Sequence, residues 1–159
     1  MKTTVSRLAN GMRVVSHDMP HLGTVALGVW VASGARHESS DEHGISHLLE
    51  HMAFKGTARR SAQAIAEEIE QVGGELNAAT SLDTTSYYAR VLKDDVAVAL
   101  DILADIIRNP SYAEDELERE REVILQEIAA TRDSPADVVY ALVQDAAFTG
   151  QPLGRPILG

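Results

Sequence analysis

Gly73-Gly74-Glu75-Leu76-Asn77-Ala78-Ala79-Thr80-Ser81-Leu82-Asp83-Thr84-Thr85-Ser86-Tyr87-Tyr88-Ala89-Arg90-Val91-Leu92 decides the architecture of this chain. The glycine pair stops the helix before it, and Leu76 to Ser81 and Thr84 to Leu92 then read as a strand pair turning near Leu82-Asp83. A turn that short joins antiparallel neighbours, because parallel strands need a crossover of roughly a dozen residues or more. Upstream of the glycines, Ala64, Ile65, Ile69 and Val72 recur at helical spacing, with Ser61 placed to cap their helix. Downstream, Asp94 and Asp95 favour the start of another helix through Val96, Leu100, Leu103 and Ile107, closed by Asn109-Pro110.

The same reading extends to both ends. Val5 to Leu8 and Met12 to His17 flank Ala9-Asn10-Gly11, a hairpin turn by its Asn-Gly, and Gly23 to Ala32 is a Val-rich strand; together they are expected to open one antiparallel sheet. Polar Ser33 to Asp41 leads into a helix over Gly44 to Met52, which Lys55-Gly56-Thr57 is expected to end with glycine just past the last turn. An acidic helix runs from about Ala113 to Ala130, and another, capped by Ser134-Pro135, reaches Phe148. The expected fold is α+β, a two-layer sandwich with a mostly antiparallel sheet and helices packed on one face. Gln151 to Gly159 reads as a loop that closes no element, so residues 1–159 are expected to be a single domain and a fragment of a longer chain.

Composition narrows the chemistry. Fourteen Lys plus Arg against twenty-four Asp plus Glu give a net charge of −10, which repels nucleic acid and anionic membrane surfaces. Much of the acid lies in Glu114 to Glu122, most of which reads as a solvated helix face. Without cysteine there is neither a disulfide nor a thiolate, so a transition-metal site would have to use histidine and carboxylate. Met1 to Arg7 lacks the apolar region of a signal peptide and no stretch is long and apolar enough to span a bilayer, so the expected location is a bacterial cytoplasm.

Inside the helix upstream of Lys55, the run Gly44-Ile45-Ser46-His47-Leu48-Leu49-Glu50-His51-Met52 contains H-x-x-E-H, the inverted zinc-peptidase helix pattern. At about 100° per residue, histidines four apart share a face with the carboxylate beside them, a clamp for a metal with a base next to it. Ile45, Leu48, Leu49 and Met52 are apolar enough to bury that helix and dry the site. Against this stands the plainer possibility of two hydrogen-bonded core histidines. Catalytic zinc generally takes three protein ligands, so a third has to come from elsewhere. Glu120 and Glu127, seven apart on the acidic helix, project on nearly one face, and Val123, Ile124 and Ile128 turn an edge of that helix inward.

Taken with Phe54-Lys55-Gly56-Thr57, Gly73 to Thr80 and Glu118 to Glu127, these residues resemble the pitrilysin-type zinc peptidases, the family of insulin-degrading enzyme and the mitochondrial processing peptidase β subunit, and most of all its compact bacterial members. The resemblance covers essentially the whole chain in matching order. It implies one Zn2+ held by His47, His51 and Glu127, and Glu50 as the catalytic base of peptide-bond hydrolysis by zinc-activated water. Glu120 matches a second acidic residue of the family's active-site region, either bonded behind a ligand or a plain surface carboxylate. Asn77, Ala78, Ala79 and Thr80 match an exposed edge strand to which substrate peptides add.

The family resembles a chamber of two related halves, which implies as partners a peptide substrate and either the remaining half of the peptidase chain or a second subunit, as in a dimer. Two functions are therefore expected to compete: a zinc metalloendopeptidase acting on short or unfolded peptides, or a non-catalytic peptide-binding or assembly subunit of the same fold. Glu50 favours the first, since a binding module has no need of a base. A structural zinc site usually closes with four protein ligands, and only three candidates are evident. His17, His21, His37 and His43 read as structural or surface residues, and Tyr87 and Tyr88 as packing.

Overall fold

A computed structural model describes residues 2–159. Two strands, β1 (Lys2–Arg7) and β2 (Arg13–Asp18), form an antiparallel hairpin, and β3 (Thr24–Val31), β4 (Glu75–Thr80) and β5 (Thr85–Leu92) form a separate antiparallel sheet in the order β3-β5-β4. The helices are α1 (Ile45–Ala53), α2 (Ala62–Gln71), α3 (Val96–Arg108), α4 (Glu114–Asp133) and α5 (Pro135–Ala147). This is the expected α+β arrangement. Among the described residues no helix is long and apolar enough to cross a membrane.

The core lies between the three-stranded sheet and the helices. Along β5, Thr85, Tyr87, Ala89 and Val91 are buried while the residues between them are less so, the period of two expected when one face is covered. Against that face α3 sets Ala99, Ile102, Leu103 and Ile106 at helical spacing, and α2 adds Ile65 and Ile69. Gly74 turns the chain from α2 into β4, where a Cβ would come 2.8 Å from a Val91 methyl and 3.0 Å from one of Ile69, so only glycine fits without a shift.

Three expectations are corrected. The N-terminal hairpin does not share a sheet with β3: the chain turns at Met19–Leu22, with the Leu22 N–H on the Met19 carbonyl, and all eight residues of β3 pair with β5 instead. The hairpin is exposed on both faces. Gly56 does not close α1, whose last turn ends at Phe54; it takes φ +121° in a loop that pairs with Ser61. The tail is not wholly irregular, since Pro152–Gly154 forms a 3₁₀ turn and Gln144 donates to the carbonyls of Leu153 and Arg155.

Candidate metal centre

The helix carrying H-x-x-E-H begins without a side-chain cap, because its cap position is Gly44 at φ +91°. Glu38, only 8% exposed, supplies the missing acceptor: its two oxygens take the N–H groups of Gly44 and Ser46, each at 2.8 Å. Burial works to raise the Glu38 pKa, but the bonds from Ser46 and Gly44 prevail and hold it below the usual carboxylate range. Arg155 in turn donates to the Glu38 and Ser39 carbonyls at 2.7 and 3.1 Å.

At its other end, α1 leads into a loop tied to α3 through Asp105. That carboxylate, fully buried, accepts from Thr57 Oγ1 at 2.8 Å, Arg60 at 2.9 Å, Asn109 at 3.1 Å and Arg59 Nε at 3.2 Å. Both ends of the helix are thus fixed, which a site needs if its ligands are to keep their geometry. Met52 is buried and Leu48 half-buried, but Ile45 and Leu49 are each 39% exposed. The expected burial of α1 is therefore only partial: among the described residues α4, β4 and the 3₁₀ turn Ala35–His37 pack against it and leave the Ile45 and Leu49 side open.

Three of the expected site residues converge. His47 Nε2 lies 3.2 Å from His51 Nε2, and Glu127 Oε2 lies 3.4 Å from the first and 3.7 Å from the second. Tetrahedral zinc with ligand bonds of about 2.0–2.1 Å separates its ligand atoms by roughly 3.3 Å, so this trio fits such an ion with little adjustment. His47 is buried, His51 half-buried, and the Glu127 side chain 42% exposed. Burial, and next the neighbouring His51, lower the His47 pKa against the pull of Glu127 and Glu50, favouring the neutral imidazole that a metal requires. Its Nδ1 is buried and has no hydrogen-bond partner in the protein.

Glu120 stands behind His51. Seven residues before Glu127 on α4, it is 5% exposed, lies 2.9 Å from His51 Nδ1 and receives Lys55 Nζ at 2.7 Å. Burial alone would raise its pKa, but the Lys55 and His51 bonds keep it below the usual range. Of the α4 residues expected to face inward, Ile124 is buried and Ile128 half-buried, whereas Val123 is 40% exposed, off the stripe that α4 turns to α1 and α5.

Glu50, on the same helix, receives the Thr80 hydroxyl at 2.5 Å. Thr80 ends β4, an edge strand paired on one side with β5. Because Ser81 N–H bonds the Thr84 carbonyl, alternation along the ladder turns the main-chain groups of Ala78 and Thr80 outward, and the Ala78 N–H is taken by the Asn77 side chain at 2.8 Å. Ala78 is buried and Asn77 and Ala79 are exposed, so contacts at Ala78 are limited to its main chain. Tyr87 packs near Phe54, ring centres 6.4 Å apart, and its pKa is pushed up to about 12, first by burial and then by the Glu50 charge.

Sequence reasoning missed Glu38 and Lys55. A glycine at the cap position of a helix signals that an acceptor is needed but not where it comes from, and nothing local marks Lys55 as facing α4. The other histidines are structural or surface residues as expected: His17 bonds Thr3 across the hairpin, His37 takes the Gly34 N–H, His43 Nε2 lies 2.6 Å from the Pro156 carbonyl, and His21 is exposed.

Residues 13–159 match the family described as Insulinase (Peptidase family M16). A Rickettsia felis protein named an uncharacterized zinc protease is 50% identical over 155 residues, covering 98% of this chain and 38% of that protein. The mitochondrial-processing peptidase subunit beta of Lentinula edodes is 46% identical over 157 residues, covering 99% and 34%. The crystal structure of a protease from Helicobacter pylori superposes with a TM-score of 0.93 at 29% identity, over 99% of this chain and 38% of that one. The chain spans a little over a third of the length of these relatives.

Proposed function

The chain belongs to the Insulinase (Peptidase family M16) family, and from that premise we propose that it is the zinc-binding catalytic domain of a metalloendopeptidase that hydrolyses short or unfolded peptides. The observation carrying this reading is the convergence of His47 Nε2 and His51 Nε2 of α1 with Glu127 Oε2 of α4, Glu50 lying on the same helix as the histidines. Three protein ligands leave a fourth position open, as a catalytic zinc site requires. A zinc ion held by these three residues would supply a Lewis acid for the scissile carbonyl and its attacking water.

The protein's own groups do the rest. Glu120 accepts the Nδ1 proton of His51 and so directs the Nε2 lone pair toward the position shared with His47 Nε2 and Glu127 Oε2. Glu50 takes a proton from the attacking water on one carboxylate oxygen and returns it to the departing amine nitrogen, so no covalent enzyme intermediate is needed. A peptide adds to the open edge of β4 along Asn77, Ala78, Ala79 and Thr80, bonded through main-chain groups and therefore tolerant of sequence. The remaining chain, or a second subunit, supplies the other wall of the site.

The test is zinc content and peptide hydrolysis of the full-length protein. The expected result is one zinc per chain, lost or weakened in His51→Ala and Glu127→Gln, and zinc kept with turnover abolished in Glu50→Gln. A protein that takes up no zinc when metal is supplied, or a Glu50→Gln variant that still cleaves, overturns the reading.

A further inference from the structure

We propose that Thr80 is a positioning residue for the base, coupling the seat of the peptide strand to the orientation of the Glu50 carboxylate. This rests on the peptidase reading above. Its hydroxyl donates to Glu50 Oε2 at 2.5 Å, while the Ser46 carbonyl, in the first turn of the same helix, lies 3.4 Å from it. A threonine has one hydroxyl proton, so the nearer, charged acceptor holds it and Glu50 keeps its second oxygen for the water's proton. The Glu50 side chain would otherwise be free to rotate about three bonds on a half-buried helix face.

What makes Thr80 more than a passive clamp is its place in the strand. Its side chain turns toward α1, and its own N–H and C=O face the open edge of β4 where a peptide strand would bond. A β-branched residue is stiff about χ1, so the hydroxyl goes where the strand backbone carries it. A peptide that straightens or shifts this end of β4 therefore moves the group that aims the base. Serine would keep the bond on a looser torsion, and valine would keep the shape without it.

The experiment compares Thr80→Val and Thr80→Ser with the wild type in the full-length, zinc-loaded protein on an unstructured peptide. Thr80→Val is expected to keep one zinc per chain and a KM within about threefold, while kcat falls about 10- to 100-fold, the scale of a misplaced catalytic group. Thr80→Ser is expected to recover most of that loss. A Thr80→Val enzyme with wild-type kcat overturns the proposal, as does a rise in KM alone, which would make the side chain a substrate contact, or a serine variant as poor as valine. Crystal structures of the variants give a readout independent of turnover: Glu50 should leave its wild-type rotamer in Thr80→Val and keep it in Thr80→Ser. If the wild type cleaves nothing yet Glu50 moves as described, the peptidase reading fails and the positioning stands; if Glu50 stays in place without the hydroxyl, the positioning fails whatever the activity.

Discussion

Replacing Glu120 by Gln should weaken zinc binding without removing a ligand. The carboxylate is 5% exposed and serves two cationic or polarised donors, His51 Nδ1 at 2.9 Å and Lys55 Nζ at 2.7 Å. In the proposed site only the first bears on the metal, because it would fix the tautomer and ring angle that aim His51 Nε2. A hydrogen bond to a charged group is worth about 1.5–3 kcal/mol, and at about 1.4 kcal/mol per factor of ten that corresponds to a 10- to 100-fold rise in Kd, the range found for such supporting carboxylates. The Lys55 ammonium, left without its partner, is about a third exposed and can turn to water, so the effect on folding should be small. Competition with a chromophoric chelator at neutral pH measures the affinity, and Glu127→Gln, which removes a proposed ligand atom, provides the scale and should lose more. Zinc affinity within about twofold of wild type in Glu120→Gln would refute the reasoning and return Glu120 to the status of a buried ion-pair residue.

Asp105→Leu removes the buried acceptor of Thr57 and Asn109 and one of three carboxylates on Arg60, which keeps Glu68 and Asp101, and should destabilise the fold by about 1–3 kcal/mol, read as a lower urea midpoint with an unchanged slope. Truncating Glu38 to Ala removes the remote cap of α1 and should cost about 1–2 kcal/mol, with Glu38→Gln milder; thermal melts separate the two. Acid stability follows the same carboxylates: Glu38 and Glu120 sit below their ordinary value of 4.5 in the folded protein, so the stability they add is present above about pH 4.5 and is lost as pH falls below it. His47 acts in the same direction at higher pH, its lowered folded value making stability decline as pH drops below its ordinary 6.5. Melts across pH 3–8 in metal-free buffer should show both declines, and the lower one should shrink in Glu38→Gln.

Much of this was legible from residue order. Periodicity, Ser61, the glycine pair at 73–74 and the acidic start of α4 placed the elements nearly where they fall, because caps, breakers and amphipathic spacing act within a few residues. The two histidines of H-x-x-E-H share a helix, so their spacing alone sets them on one face. Which glutamate of α4 meets them was open to spacing and was assigned by resemblance; Glu120 and Glu127 lie on the same face, and only the angle at which α4 crosses α1 sets Glu127 against both Nε2 atoms and Glu120 against the Nδ1 of His51.

Tertiary structure alone decided the rest. Nothing in residues 2–31 says that the first hairpin leaves the sheet, because strand pairing is a choice among partners distant in sequence, and β3 meets a full eight-residue register with β5. Glu38 reaches a helix that begins seven residues later, Lys55 crosses to a carboxylate 65 positions on, and Thr80 touches a glutamate 30 residues earlier. The sequence by itself determined which chemical groups the chain carries and which of them share a helix face, since that depends on residue types at short spacing; the tertiary structure decided how the groups are aimed, since aim depends on contacts that only the packed fold brings within a few ångströms.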